Sequence, residues 1–359
     1  MGIAVVAAAL LAACGGQAAA PGGGGMSTAA STWDEVLKKA SEEGTVSLYS
    51  ALLPEVNKEL ETRFEKTYPD IDLKITRIVG PEVSAKLDAE LKSGSLGADI
   101  VNHVNYEWAK TKADEGLFAE PVGPNGAGPE WKGTPYLIGD VLQTSALTAL
   151  GIAWNTEKVT DPLATYEGLV DPKYGGGQLG LVDNLAAPMA DLYAWLEDTY
   201  GADYLTKLAA LKPKFYPSAV PLQEALLSGE ISIALWGANS TVKPIKASGG
   251  PIDWLMPDPG WAPMNLGYMF KESNNPNAAQ VLFDFMASAE GQESLAKDNL
   301  SVLPNVAERG RGPEGAHPAR PHPGDQARLA RVGAERVEAD LRSLTPVSPF
   351  STSPLHRRP

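Results

Sequence analysis

From Gly44 to Asn102 the apolar positions switch between two periods. Gly44 to Ser50 (GTVSLYS) reads as a buried strand, and Pro54 to Thr67 as a helix with Val56, Leu60 and Phe64 on one face. A second strand is expected over Asp72 to Ile78, then a helix carrying Val83, Leu87 and Leu91, then a short apolar strand over Ala98 to Val101. Apolar residues four apart make a stripe on a helix of 3.6 residues per turn, whereas β-branched runs between Gly and Pro breakers favour strands. Two β-α units in succession imply a parallel sheet with helices on its faces. Ligands of such sheets sit beyond the carboxyl ends of the strands, where helix N-termini offer free N–H groups. Tyr49-Ser50 and Asn102-His103 are thereby expected on one ligand-facing edge.

A helix over Thr32 to Glu43 precedes this block. After it, a helix from Tyr106 closes at Leu117, with Gly116 at the usual C′ place. Pro121 to Tyr136 holds four Pro and several Gly and reads as turns. Thr144 to Trp154 is one strand-like run, expected to be the first crossover out of the first domain. Gly175 to Gly180 matches G-x-G-x-x-G, but it precedes a strand (Gln178 to Val182) where a dinucleotide fingerprint would follow one, so it reads as a loop. Asp183 to Pro188 lies between that strand and a helix over Met189 to Glu197, a candidate polar or anion site. A helix over Leu222 to Ser228, a strand over Glu230 to Trp236 and a strand-end loop over Gly237 to Thr241 follow. Pro257 to Trp261 is a rigid turn that could return the chain to the first domain. Asn275-Pro276 opens a helix as cap and first-turn Pro, with Ala279, Leu282, Phe283 and Met286 on its core face. A short helix over Ser288 to Lys297 completes the pattern.

At 359 residues, about two domains are expected. The 43 % apolar and 21 % charged fractions are ordinary for a globular chain, and the net charge of −14 argues against a nucleic-acid partner. Four His and one Cys leave little material for a transition-metal cluster.

The two ends differ from the body. Ile3 to Ala13 is too short to span a bilayer but suits the core of a signal peptide, although no Lys or Arg precedes it and the true start could lie upstream. It ends in Leu11-Ala12-Ala13-Cys14-Gly15, which resembles the lipobox of bacterial lipoproteins and makes Cys14 the expected lipidation site. The Gly/Ala/Ser-rich segment to Ser31 reads as a tether. Residues 1–306 contain two Arg, Arg63 and Arg77, and a net charge of −17; residues 307–359 contain nine Arg, no Lys, eight Pro and a net charge of +3. A shift of reading frame between Val306 and Arg311 and a natural basic, Pro-rich tail both account for this switch, and both predict poor order.

Several segments, taken in order, carry a family resemblance: Leu48-Tyr49-Ser50, Phe64 to Pro69, Glu90 to Gly94 followed by Ala98-Asp99-Ile100, Gly151 to Thr156, Gly168 to Gly175, Leu227 to Ile231, and Pro276 to Gln292. Over residues 32 to 305 the chain resembles an extracellular solute-binding protein of an ATP-binding-cassette importer, of the cluster that includes ferric-iron, thiamine, polyamine and phosphonate binders. The resemblance implies an α/β, two-lobed, periplasmic-binding-protein-like fold (type II), with the ligand cleft between lobes joined by crossover strands. The expected division is 1–31 signal peptide and tether, 32–145 plus 262–305 lobe one, 146–261 lobe two, and 306–359 tail. The implied action is closure on a small solute and docking on a membrane permease, by a monomer anchored through lipid at the outer face of the cell membrane, or in the periplasm where an outer membrane exists.

Ferric members of the cluster use paired tyrosines in the second lobe. This chain has no Tyr-Tyr; Tyr193, Tyr200, Tyr204 and Tyr216 are separated and read as helix-face or loop residues. An organic ion is therefore favoured as ligand, with ferric iron as the alternative and no cofactor or resident metal expected. The candidate ligand groups are polar residues at strand ends, Ser50, Asn102, Thr144, Ser145, Asp183, Asn184 and Asn239, each of which could instead be a turn or cap. Trp236 and Trp261 are candidate apolar walls, or ordinary core. His103, without a partner, suits a hydrogen-bonded pocket or surface position better than a metal. The rival class, a secreted hydrolase, finds no G-x-S-x-G, no H-E-x-x-H and a single His in the body, although a carboxylate pair could still serve a glycosidase.

Overall fold

The computed structural model describes residues 32–303, apart from 81, 133, 135, 162, 184–186 and 298. The leader, Cys14, Asn184 and the Arg/Pro-rich tail lie outside the described residues.

The first helix, α1 (Trp33–Glu43), opens in a capping box. Thr32 Oγ1 accepts the Glu35 N–H at 3.3 Å, and the Glu35 carboxylate accepts the Thr32 N–H at 3.0 Å, so two donors orphaned by the helix end are satisfied. There follow β1 (Thr45–Ser50), α2 (Pro54–Thr67), β2 (Asp72–Arg77), α3 (Glu82–Ser93) and β3 (Ile100–His103). β1 pairs in parallel with both β2 and β3, as two β-α units require. The α2 stripe of Val56, Leu60 and Phe64 is fully buried and packs with Val46 and Leu48 of β1. Each such side chain contributes about 1.5–3 kcal/mol of burial.

α4 (Tyr106–Asp114) and β4 (Leu137–Ile138) lead to β5 (Leu142–Leu147) and β6 (Leu150–Asn155). The run from Thr144 to Trp154, expected as one strand, is therefore two strands in two different sheets. Every residue of both is buried, so nothing in the apolar pattern could mark the corner at Thr148-Ala149. The second half supplies β7 (Leu179–Val182), α5 (Ala187–Tyr200), α6 (Tyr204–Ala210), β8 (Lys214–Tyr216), α7 (Ala219–Leu227), β9 (Ile233–Ala238), α8 (Asn239–Ala247) and β10 (Ile252–Leu255). The chain then returns through β11 (Met264–Met269) to α9 (Pro276–Ala287) and α10 (Ala289–Leu295). The first sheet has the order β2-β1-β3-β11-β5-β4 and the second β10-β6-β9-β7-β8.

Three further expectations are corrected here. Gly237 to Thr241 is not a loop: β9 runs to Ala238 and α8 begins at the next residue. Pro244, inside α8, is what hid that helix, since an interior Pro ordinarily breaks one. Tyr216 belongs to a strand, β8, rather than to a helix face or loop. Asn275 does not cap α9 with its side chain. Its N–H and Nδ2 instead reach Asp99 at 2.9 and 3.2 Å. The α9 terminus is served by Glu43, from the end of α1, whose carboxylate accepts the N–H groups of Asn277 (3.2 Å) and Ala278 (2.7 Å). A carboxylate there satisfies orphan donors and complements the helix dipole.

α9 is buried all round, so its two polar side chains need partners. Asp284 accepts the N–H groups of Asn125 (2.7 Å) and Gly126 (2.8 Å) and the Asn125 amide (2.8 Å), while Gln280 accepts the Val122 N–H at 3.0 Å. The Pro-rich turns after α4 are thus strapped to the core. The G-x-G-x-x-G run forms turns ahead of β7, with Gly176 and Gly177 at φ 69° and 82°.

Candidate functional site

In the second sheet β7 runs parallel to β8 and β9, so their carboxyl ends share one edge. The Asp183 N–H extends the β7 ladder to the Tyr216 carbonyl at 2.9 Å, leaving its side chain exposed. β7 and β9 pair only as far as Gly180 beside Ala234, and Trp236 follows two residues beyond on β9, toward the same carboxyl edge as Asp183. In the first sheet the parallel strands end at Ser50, Arg77 and His103. α4 starts three residues beyond His103, with Glu107 in its first turn.

The two edges meet at Asp191. This residue lies on α5 of the second lobe, and its Oδ2 accepts the Trp261 indole N–H at 3.1 Å. Asp191 is open to solvent yet crowded by protein atoms, as befits the wall of a crevice. That desolvation raises its carboxyl above the ordinary range; the Trp261 bond opposes the rise, and the charge of Glu107, from the other lobe, adds to it. Among the described residues, no Lys or Arg forms an ion pair with Asp183, Asp191 or Glu107. The nearby Lys110 feels the field of Glu107 but is bound to Asp114 at 2.7 Å. Sequence reasoning missed both Asp191 and Glu107. The available signal was that Asp191 falls off the Met189, Leu192, Tyr193, Leu196 stripe of α5.

Trp236 and Trp261 differ in kind. Trp261 is 1 % exposed and acts through its N–H. Trp236 is half-buried, packs on the second-lobe core and has a positive φ of 119°. Asn239 is the first residue of α8; its side chain lies outside the described set.

The first-lobe candidates occupy a buried clasp and present no group to solvent in this conformation. Ser50 Oγ donates to Asn57 Oδ1 at 2.7 Å and accepts the Leu52 N–H at 3.2 Å, fixing the turn into α2. Asn102 Nδ2 donates to Ser145 Oγ at 2.5 Å, and Ser145 donates in turn to the Asn265 carbonyl at 3.0 Å. Asn265 Nδ2 reaches Thr148 Oγ1 at 3.0 Å. Thr144 is fully buried with its hydroxyl 3.4 Å from Met264 Sδ. The clasp therefore ties β3, β5 and β11 together where the chain leaves for and returns from the second sheet.

His103, 2 % exposed, packs edge-on against Trp108 and Tyr268, with Nδ1 3.2 Å from the Tyr268 hydroxyl. Burial lowers its pKa to about 4, so it is a neutral core residue. Tyr49, also expected at the ligand edge, donates to Glu90 at 2.9 Å and is 6 % exposed.

The comparisons with known proteins agree on family and fold. Among solved structures, the chain is similar to iron-bound HitA from Pseudomonas aeruginosa (20 % identity, 84 % of this chain and 99 % of that chain, TM-score 0.61). It is similar to the substrate-binding protein of an ABC transporter from Agrobacterium tumefaciens (19 %, 83 % and 94 %, TM-score 0.67). A third is AfuA from Actinobacillus pleuropneumoniae with fructose-6-phosphate bound (20 %, 85 % and 99 %, TM-score 0.61). At this identity the likeness establishes the two-lobed, type II periplasmic-binding-protein fold. No curated protein matches the chain. The model of the family described as bacterial extracellular solute-binding protein matches residues 42–293. With more than half of its length matched and both lobes in place, the chain belongs to the bacterial extracellular solute-binding proteins, the substrate-binding components of ATP-binding-cassette importers.

Proposed function

We propose that this protein captures a small organic cation in the crevice between its lobes and delivers it to a membrane permease. The observation that carries the reading is Asp191, bonded to Trp261 and within the field of Glu107 from the other lobe, without a cationic ion-pair partner among the described residues. Two like charges across a crevice repel, and a ligand cation placed between them removes that repulsion only when the lobes are close. Such a ligand binds the closed state better than the open one, which is the condition for driving closure. The partly exposed indole of Trp236 suits an ammonium or similar organic cation, through the ring quadrupole. A small hard metal ion would ask for several oxygen ligands instead.

In this reading lobe one comprises 32–145 plus 262–305 and lobe two 146–261, with bending at Thr148-Ala149 and at the Met256 to Pro263 segment. Lipidation at Cys14 would hold the protein at the outer face of the cell membrane, within reach of the permease.

The test is thermal melting of the purified protein with spermidine and thiamine, against fructose 6-phosphate and ferric citrate. A bound solute raises the midpoint in step with RT ln(1 + [L]/Kd). A rise with either cation supports the proposal. A rise only with the sugar phosphate or with ferric citrate overturns the cation while leaving solute capture in place.

A further inference from the structure

Trp236 carries a backbone conformation that its own residue type disfavours. Among the described residues, three other than Gly have positive φ: Asp140 at 58°, Lys212 at 55° and Trp236 at 119°. The first two lie in the left-handed helical range that surface residues occasionally adopt; 119° lies well outside it. In β9, Ile233, Ala234 and Leu235 are buried, whereas Trp236 is only half-buried. The ladder to β6 also slips here: Ile152 pairs with Leu235 and Gly151 with Gly237, which leaves Trp236 as an extra residue. It is a β-bulge, the device by which a strand re-aims one side chain.

The neighbours prevent this bulge from relaxing. A Cβ on Gly237 would lie 2.8 Å from Ala153 Cβ and 2.9 Å from Ala153 N, so β9 is pressed against β6 directly beyond the bulge. On the facing strand, a Cβ on Gly151 would meet the Leu255 carbonyl and sit 2.8 Å from Met256 Cα, so β6 is pressed in turn against β10. The bulge at Trp236 is therefore backed by β6, itself close-packed on β10, toward the carboxyl edge of the sheet, the edge at which the exposed Asp183 ends β7. A Gly would take this φ without strain. Strained residues of this kind persist where the surrounding structure over-determines them, and they cluster at ligand clamps.

We infer that the bulge at Trp236 presents the indole as the second-lobe platform on which the bound solute packs, a specificity-determining contact maintained at the expense of local stability. The inference rests on the capture reading above and adds the solute's character: a flat or cationic group that stacks on an indole face, with Asp183 alongside.

The experiment compares Trp236→Gly, Trp236→Ala and Trp236→Phe in the full-length protein. Gly and Ala remove the same ring, but only Gly relieves the φ. Trp236→Gly is therefore expected to melt about 1–2 °C above Trp236→Ala, for roughly 1 kcal/mol of relief in a chain of this length, reversing the usual order in strands. Both should weaken spermidine or thiamine binding at least tenfold, with Trp236→Phe retaining most of it. A Trp236→Gly protein that melts below Trp236→Ala, or that binds either cation as wild type does, overturns the inference. Should wild type bind neither cation, the cation reading fails separately. Acrylamide quenching then decides the platform: the emission lost in Trp236→Phe must be quencher-accessible, and a shielded component overturns the inference.

Discussion

Trp261 Nε1 donates to Asp191 Oδ2 across 3.1 Å, and this bond joins the segment returning to the first lobe to the second-lobe helix α5. Its acceptor is the carboxylate that burial and Glu107 make hardest to keep charged. Asp191→Asn preserves an oxygen for the indole and removes the charge. The ligand-free protein is expected to melt higher, and spermidine or thiamine affinity to fall at least tenfold by calorimetry.

The pH dependence of that pair has a fixed sign. The folded-state pKa of Asp191 is raised above the ordinary 3.8 of a free Asp, so the native state binds the proton more tightly than the unfolded chain. Protonation at this site favours folding as pH falls through the raised value toward 3.8, and the benefit is absent at neutral pH. Cation binding runs the other way, weakening over the same interval. The melting midpoints of wild type and Asp191→Asn, separated at neutral pH, should converge as pH falls through this acid window.

His103 acts in the opposite sense. Its folded pKa of about 4 lies below the ordinary 6.5, so the unfolded chain takes up the proton first. Stability from this residue is complete above pH 6.5 and is lost as pH falls toward 4, by up to about 1.4 kcal/mol per pH unit. Denaturant unfolding at pH 7 and pH 5 should show a loss in wild type that is smaller in His103→Gln.

Ser145 separates a clasp from a ligand group. Ser145→Ala leaves Asn102 Nδ2 without its acceptor in a buried position, which costs about 1–3 kcal/mol. The melting temperature should drop while cation affinity stays within about threefold, since the hydroxyl faces the interior.

Asp284 is the larger structural test. Asp284→Ala strands the N–H groups of Asn125 and Gly126 and the Asn125 amide together. A loss of about 3 kcal/mol or more is expected from the denaturant midpoint, with protease cleavage appearing first in the turns between Pro121 and Gly128.

Most of the first sheet was legible because its units are local. Periodicity located α2 to the residue, and Gly44 marked the end of α1. What escaped was set by distant partners. β11 is read as a strand only once β3 and β5 stand on either side of it, and Glu43 caps a helix more than two hundred residues away. For the candidate site, Asp183 and Trp236 could be picked out as residue types at strand ends, and Trp261 as an aromatic in a rigid turn. Nothing local distinguished Asp191 or Glu107 from other surface acids, because the charge interaction between them joins residues far apart in sequence. Conversely, Ser50, Thr144 and Ser145 had the chemistry of ligand groups but are buried with partners of their own, and Asn102 gives its Nδ2 to Ser145 while its buried Oδ1 has no protein partner.

The placement of β11 has a consequence for how the chain is made. It lies antiparallel between β3 and β5, the only strand bonded to both. Until Met264–Met269 has been synthesised, the first sheet is two fragments with bare inner edges, while the second sheet already holds all five of its strands by Leu255. The second lobe can therefore fold as a continuous insert whose closure brings the first lobe's separated pieces within reach, and the nascent first lobe carries open strand edges that invite mispairing. A chaperone or a folding helper acting on this protein would find its work there, on the half that emerges first and is finished last.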